Sequence, residues 1–379
     1  MNFADFDIDA IRCSNDANEL YRQLENHPLY IYGAGGFGRE FYATLRQYGI
    51  VVKGFLDRNA DHLGTVCGCN VYTAETLCKT ERNGALVLVA IVMDKDERIS
   101  LLKNLHALGY RKVYQAQFYR SLTVAPSGQI QGTLKEYYIQ HLPRIQKAWE
   151  LLADEKSREI FAANIRAYFW RDYSRCVFWE DTMCQQYFPK DIPLSKGYRC
   201  FVDCGAYIGD TIEVLTEAYP GATEMVVAFE PNLKSYQTMI QTISALVSQR
   251  ICFPCAVDRT TGKKRFSTGY GSGTLSQDGD DEIICVSLDD ALQGVQPTFI
   301  KMDIEGAEFD ALKGAKKIIA DSRPDLAICV YHNIDHMWEI PLLLEKMELG
   351  YQFYLRSYNA CTMETVLYAS IPSERGEVL

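Results

Sequence analysis

The chain has 379 residues, 47% of them hydrophobic and 23% charged, which is long enough for two globular cores and too apolar for intrinsic disorder. Its formal net charge of -10 argues against a phosphate-backbone partner, because that affinity comes from Lys and Arg neutralising phosphates. The thirteen cysteines are scattered singly, as thiols in a reducing compartment; the close pairs Cys67/Cys69 and Cys252/Cys255 lack the matching second pair that a zinc site needs, so no metal is expected.

In chain order, the start MNFADFDIDAIRC is acidic and has no basic stretch followed by an apolar one, so no secretory signal is legible. The longest apolar run, ALVLVAIVM from Ala85, is far shorter than the roughly 20 residues that cross a bilayer. A cytoplasmic protein with no membrane span is expected. From Leu29 the pattern LYIYGAGGFGREF, VVKGFLD and ALVLVAIV alternates strands with helices and predicts a Rossmann-like α/β domain over residues 1–125. Gly33, Gly35, Gly36 and Gly38 follow a strand and open a helix, with Asp57 about twenty residues on, which describes a nucleotide-type crevice.

Residues 126–197 turn charged and aromatic, with apolar positions every three or four residues, and are expected to be a helical connector that breaks at Pro143. Its aromatics Phe169, Trp170, Tyr173, Trp179, Tyr187 and Phe188 fit a packing face between domains or, alternatively, a lid.

Residues 198–379 predict a larger α/β domain, opening with FVDCGAYIGDT from Phe201 and AFEPN from Ala228. An apolar run ends at Asp203, a glycine-bearing turn opens a helix, and a second apolar run ends at Glu230. That order is strand, tight turn, helix, strand, with a carboxylate where a ribose would lie. Gly205 and Gly209 let backbone approach a ligand, and Glu230 can accept two ribose hydroxyl protons. The competing reading makes Asp203 and Glu230 simple helix caps. A Gly/Ser/Thr-rich excursion follows ICFPCAV, and TFIKMDIEGAE and DLAICVYH give two more strands. YQFYLRSY and ETVLYASI are too close for a crossover helix, so they should pair antiparallel and end a mostly parallel sheet.

The set FVDCGAYIGDT, AFEPN, SLDDAL, IKMDIEGAEFDALKGA, YHNIDHMWEIP and ETVLYASIP resembles the FkbM-type family of S-adenosylmethionine-dependent methyltransferases over roughly residues 185–372. The resemblance implies a seven-stranded methyltransferase sheet, S-adenosyl-L-methionine as cofactor, and methyl transfer to an oxygen. It implies that Asp203, Gly205, Ala206, Tyr207, Gly209, Asp210 and Thr211 face the methionine half and that Glu230, with Pro231 and Asn232, holds the ribose. It places Ala256, Val257 and Asp258 near the adenine, and Asp303 and Glu305 where methyl group and acceptor meet.

Methyl transfer from a sulfonium is an in-line displacement, so donor and acceptor must be aligned and the acceptor's proton removed. His332 is the first candidate base and Asp303 the second, with Lys301, Glu305, Asp335 and Glu364 as candidates to orient substrate. The opposing reading makes His332 structural and lets Asp303 and Glu305 stabilise a helix start by about 0.3–1 kcal/mol. His336 would share a helix face with His332 only if that helix began early.

GAGGFGRE, Asp57 and LGTVCGCNVYTAETL resemble the small nucleotide-binding domain of sugar-acyltransferase and related glycan-modifying enzymes. The resemblance leaves three uses open: a nucleotide or nucleotide-sugar, NAD, or a scaffold for a homodimer. The expectation is an O-methyltransferase acting on a glycan, nucleotide-sugar or related small metabolite. An NAD-dependent oxidoreductase and a non-catalytic sensing module are the alternatives.

Overall fold

The computed structural model describes Leu24, residues 27–91, 93, 95–116, Ser127, and residues 133–170, 186–268, 273–275, 281–359 and 362–372. Tyr173 and Trp179 of the predicted aromatic face lie outside them.

The first sheet has β1 (Leu29–Tyr32), β2 (Val52–Leu56), β3 (Thr65–Val66), β4 (Cys69–Tyr72), β5 (Leu86–Val89) and β6 (Lys112–Gln115) in the order β3-β4-β2-β1-β5-β6. All the pairings are parallel except the short β3–β4 contact. Alternating residues of β1 enter opposite cores: Leu29 and Ile31 join the cluster with Phe41 of α1 (Gly36–Gln47), while Tyr30 and Tyr32 join the one with Leu105 and Tyr110. Two short helices, α2 (Ala60–Leu63) and α3 (Lys79–Gly84), and the longer α4 (Lys95–Ala107) complete this unit.

Helix α5 (Leu134–Glu150) starts at a capping box: the Thr133 hydroxyl accepts from the Glu136 N–H at 3.2 Å and the Glu136 carboxylate accepts from the Thr133 N–H at 2.7 Å. The expected break at Pro143 does not occur, and the helix runs on to Glu150. The proline forfeits one backbone hydrogen bond, but Tyr138 and Ile145 on either side are fully buried and hold both turns. Helix α6 (Glu155–Trp170) follows and is buried along most of its second half.

The second sheet contains β7 (Cys200–Cys204), β8 (Met225–Phe229), β9 (Gln249–Phe253), β14 (Phe299–Met302), β15 (Asp325–Cys329), β16 (Gln352–Ser357) and β17 (Thr365–Ser370). Its order is β16-β17-β15-β14-β7-β8-β9, with β17 running against its neighbours as expected for the final strand. Between β9 and β14, the strands β10 (Ala256–Val257), β11 (Gly262–Thr268), β12 (Gly273–Leu275) and β13 (Asp281–Val286) form a separate four-stranded sheet that takes in the described part of the predicted excursion.

Side-chain alternation divides the core of the seven-stranded sheet. Val202, Ile300 and Ile328 enter one cluster, and Phe201, Phe299 and Ala327 enter the other. Helices α5 and α6 supply Tyr138, Ile145, Phe161, Ile165, Phe169 and Trp170 to the first cluster. Residues read as a connector are therefore part of this domain's interior. Burying several such side chains at about 1.5–3 kcal/mol each makes these helices structural members of the sheet domain. Tyr187 and Phe188 enter the second cluster.

The helices after the crossovers are α7 (Asp210–Ala218), α8 (Leu233–Leu246), α9 (Leu288–Ala291), α10 (Glu308–Lys313), α11 (Lys316–Ser322) and α12 (His336–Glu345). No helix among the described residues is long and apolar enough to cross a membrane.

Candidate active site

The strand order of the second sheet reverses between β7 and β14, and the carboxyl ends of strands at such a point leave a crevice. The segments after β7, β8, β14 and β15 deliver Gly205, Glu230, Asp303 and His332 to that end.

The β7 loop is shaped by close approach. Gly205 has φ of +85°, and a Cβ there would stand 1.9 Å from the Asp303 carbonyl oxygen, so only glycine lets the two loops touch. Gly209, at φ +87°, is the N-cap of α7. The N–H groups of Gly205 and Ala206 both donate to the Phe229 carbonyl, at 3.1 and 3.0 Å, which binds the loop to the end of β8. Ala206 is buried, Tyr207 is exposed with φ of +45°, Asp210 opens α7, and the Thr211 N–H donates to the Asp210 carboxylate at 3.0 Å.

Glu230 closes the other flank. One carboxylate oxygen accepts from the Tyr207 N–H at 3.0 Å and the other from the Asn232 N–H at 2.8 Å. Burial pushes the carboxyl up to about 7, against the opposing effect of these two backbone donors and of Lys301. The capping role falls to the next position but one: Asn232 accepts from the Lys234 and Ser235 N–H groups, and Pro231 leads into it. Glu230 thus ties the β7 loop to the β8 loop, and each oxygen retains acceptor capacity.

Several expected site residues lie elsewhere. Asp203 and Lys301 are cross-strand partners in register, both buried, with the ammonium 2.8 Å from the carboxylate and 2.7 Å from the Gly205 carbonyl. They fasten the loop from beneath, so neither is presented to a ligand; burial opposes the charge on Lys301, but Asp203 and Asp303 outweigh it and raise its pKa. Ala256 and Val257 belong to the small sheet, Val257 is in the core, and the buried Asp258 is paired with Lys264, so the latter two side chains are not open to an adenine. Asp335 is occupied by Ser127, accepting from its N–H at 3.0 Å and its hydroxyl at 2.5 Å. Glu364 accepts from the Gln186 amide at 2.8 Å.

Asp303 is held by two tyrosine hydroxyls, a role that the sequence analysis gave to neither. The Tyr187 hydroxyl donates to one of its oxygens at 2.8 Å and the Tyr331 hydroxyl to the other at 3.3 Å. Lys301 sits 5.2 Å from the Tyr187 ring centre, and Tyr187 takes a left-handed φ of +72° to reach this place. Across the opening, His332 Nδ1 is 2.8 Å from the buried Glu308 carboxylate, while its Nε2 is 3.5 Å from Asp303 and 3.5 Å from Glu305. Burial works against the imidazolium, but Glu308, then Glu305 and Asp303, outweigh it and lift His332 to about 10. Glu308 also accepts from the Ile304 N–H at 3.0 Å and lies 3.3 Å from His336 Nδ1. His332 and His336 therefore share one carboxylate, an arrangement that helical spacing alone does not give, because His336 is the first residue of α12.

Residues 203–353 match the family model described as Methyltransferase FkbM domain. The likeness to an FkbM methyltransferase domain is to this stretch of the chain. A solved structure of Methyltransferase FkbM from Methylobacillus flagellatus KT is 22% identical over 95% of this chain and 94% of that one, with a TM-score of 0.63, so the fold of the matched stretch and of what precedes it is shared. The SAH-bound Podospora anserina methyltransferase PaMTH1 is 11% identical over 65% of this chain and all of that one; its TM-score of 0.29 is too low to define a common fold. No curated protein sequence matches the chain as a relative. The FkbM domain match takes in the β7 loop, Glu230, Asp303 and His332, and leaves out α5, α6 and β17.

In the first sheet the order reverses between β1 and β5, and the same construction recurs. Gly33 has φ of +107° and lies against Ala90 and Ile91, a Cβ on Gly38 would stand 1.9 Å from the Gly33 carbonyl, and Gly35 and Gly36 are open. Asp57 accepts from the Ala34 N–H and the Asn59 N–H, each at 2.9 Å. The Asp57 carboxylate joins its loops as Glu230 does in the second domain.

Proposed function

We propose that the chain is an S-adenosyl-L-methionine-dependent O-methyltransferase acting on a hydroxyl of a glycan, nucleotide-sugar or related small metabolite. The observation that carries this reading is Glu230, which holds Tyr207 and Asn232 by backbone hydrogen bonds beside a glycine turn at the switch point. A ribose fits such a carboxylate, and a sulfonium fits a crevice lined by Asp303 and Glu305. When bound, the cofactor supplies a methyl group whose sulfur leaves as a neutral thioether.

The chain's own part is to seat the acceptor and accept its proton. Gly205, Tyr207 and Gly209 shape the turn that lets the β7 loop lie close to the methionine half, with Asp210 and Thr211 at the start of α7, and Glu230 takes the ribose hydroxyls. The acceptor hydroxyl gives its proton to Asp303, because His332, raised to about 10, is already an imidazolium at neutral pH and serves as the cation 3.5 Å from that carboxylate rather than as the base. Glu308 orients His332, and Tyr187 orients Asp303. Asp57 and the Gly33–Gly38 loop would hold a nucleotide or nucleotide-sugar in the first domain, supported by the repeated carboxylate bridge.

Thermal melts test both crevices. S-adenosylmethionine and its demethylated product should each raise the midpoint by several degrees, because ligand bound only to the folded state stabilises it by mass action. A response to NAD and to neither sulfur nucleoside would overturn the reading.

A further inference from the structure

We infer that the Tyr207 hydroxyl binds the carboxylate of the methyl donor's methionine half, and so makes the crevice specific for a nucleoside that carries an amino acid. This rests on the methyl-transfer reading and adds a side-chain contact to it. Tyr207 belongs to the turn after β7 and takes a left-handed φ of +45°. A bulky side chain in that conformation is an outlier, strained where glycine would not be. The Glu230 carboxylate holds the Tyr207 N–H at 3.0 Å, so this residue stands beside the acid assigned to the ribose.

The second observation is the side chain itself. It is 41% exposed, and its hydroxyl makes no hydrogen bond among the described residues. Neither burial nor a hydroxyl partner in the unliganded chain therefore accounts for an aromatic at a strained turn, and strain of this kind gathers at ligand-binding positions. The third observation is that the loop has little backbone left to offer. The Gly205 and Ala206 N–H groups go to the Phe229 carbonyl, that of Tyr207 to Glu230, and that of Gly209 to the Ala206 carbonyl at 2.7 Å. Beneath the loop, the Lys301 ammonium is spent on Asp203 and the Gly205 carbonyl.

The methionine half carries an ammonium and a carboxylate, and the two meet different surroundings. Glu230, Asp303 and Asp210 at the start of α7 give the ammonium acids to choose from. The carboxylate is short of donors, and a phenol is a donor that keeps its proton at neutral pH. A hydrogen bond to an ionised acceptor is also the stronger of the two that a tyrosine hydroxyl can make as a donor.

The test is calorimetric titration of the full chain with two probes. One is the demethylated cofactor, S-adenosylhomocysteine; the other is 5′-methylthioadenosine, which keeps the nucleoside and the thioether and lacks both the carboxylate and the ammonium. Tyr207→Phe keeps the ring, and because the hydroxyl is unbonded among the described residues the variant should melt at the same midpoint without ligand. Its Kd for S-adenosylhomocysteine should rise about 10- to 100-fold, with the Kd for 5′-methylthioadenosine unchanged. An unaltered Kd for S-adenosylhomocysteine overturns the inference, and so does equal weakening of both probes, which would place the effect outside the amino-acid part. Failure of the unmodified chain to bind either probe removes the methyl-donor reading and this contact with it. Binding of both probes by the unmodified chain, with no change in Tyr207→Phe, removes the contact alone.

Discussion

At the scale of single residues, Glu230 couples the site to pH. Its folded-state pKa of about 7 lies above the ordinary carboxylate value of 4.5, so the folded chain holds this proton more tightly than the unfolded chain. Stability from this group is therefore full below about pH 4.5 and is lost as pH rises to about 7, by about 3 kcal/mol at most, with no further loss above. Cofactor binding has the opposite slope, because ribose hydroxyls donate best to the ionised acid. The Kd for the demethylated cofactor should rise as pH falls through 7, by up to about tenfold per unit, and Glu230→Gln should bind weakly with a flat profile. Calorimetric titrations between pH 6 and 8 would read this, and an unchanged affinity in the unmodified protein would exclude Glu230 from the ribose. His332 is a separate residue-scale case. If the His332 cation holds Asp303 in place to take the acceptor's proton, His332→Ala should keep the melting response to cofactor and lose turnover, whereas retained turnover would show that Asp303 acts without it.

At the scale of elements, the two glycine turns carry strict geometric demands. Gly205→Ala would place a methyl group on the Asp303 carbonyl and force a left-handed φ, so the β7 and β14 loops would have to part. A loss of about 3 kcal/mol or more is expected, seen as a lower denaturation midpoint, together with loss of the melting response to cofactor; a stable variant that still binds would show that these loops need not touch. These turns were legible in the sequence because each depends on a few consecutive residues: glycine, a helix start, and an acid after the next strand. The tyrosines that donate to Asp303 and the carboxylate behind His332 were not. Tyr187 is 116 positions away and His332 is 24 from Glu308, so only the assembled sheet brings them together. Tyr187 read as one aromatic among many, since nothing local marks a left-handed backbone on a tyrosine. Glu308 lies within IKMDIEGAE, and its position one helical turn beyond Glu305 was the available hint. The reading of ICFPCAV has a similar origin: it looks like one continuous strand, whereas β9 stops at Phe253 and the chain turns into another sheet.

At the scale of the molecule, the amphipathic pattern of α5 and α6 was readable, but not which core it enters. Several ties join these helices to the far end of the chain. Arg144 makes two hydrogen bonds to Glu339 of α12, at 2.6 and 2.5 Å, and the Ala153 N–H donates to the Phe353 carbonyl of β16 at 2.8 Å. Arg356, almost wholly buried, pairs with Asp154 before α6 at 2.8 Å and with Asp191 at 2.9 Å. Arginine can satisfy two acids at once through its planar fork, and a chain that starts at residue 198 loses both Asp154 and Asp191, at a cost of about 3–5 kcal/mol in addition to the lost apolar burial. The folding unit must therefore begin before Thr133, even though the family match begins at 203. A fragment of residues 126–379 should unfold in one cooperative transition and retain the melting response to cofactor. A fragment of residues 198–379 should aggregate or show the broad, non-cooperative melt of an incomplete core. If the shorter fragment folds and binds as well as the longer one, the helices are an accessory layer and the apolar cluster they share with Val202, Ile300 and Ile328 is dispensable.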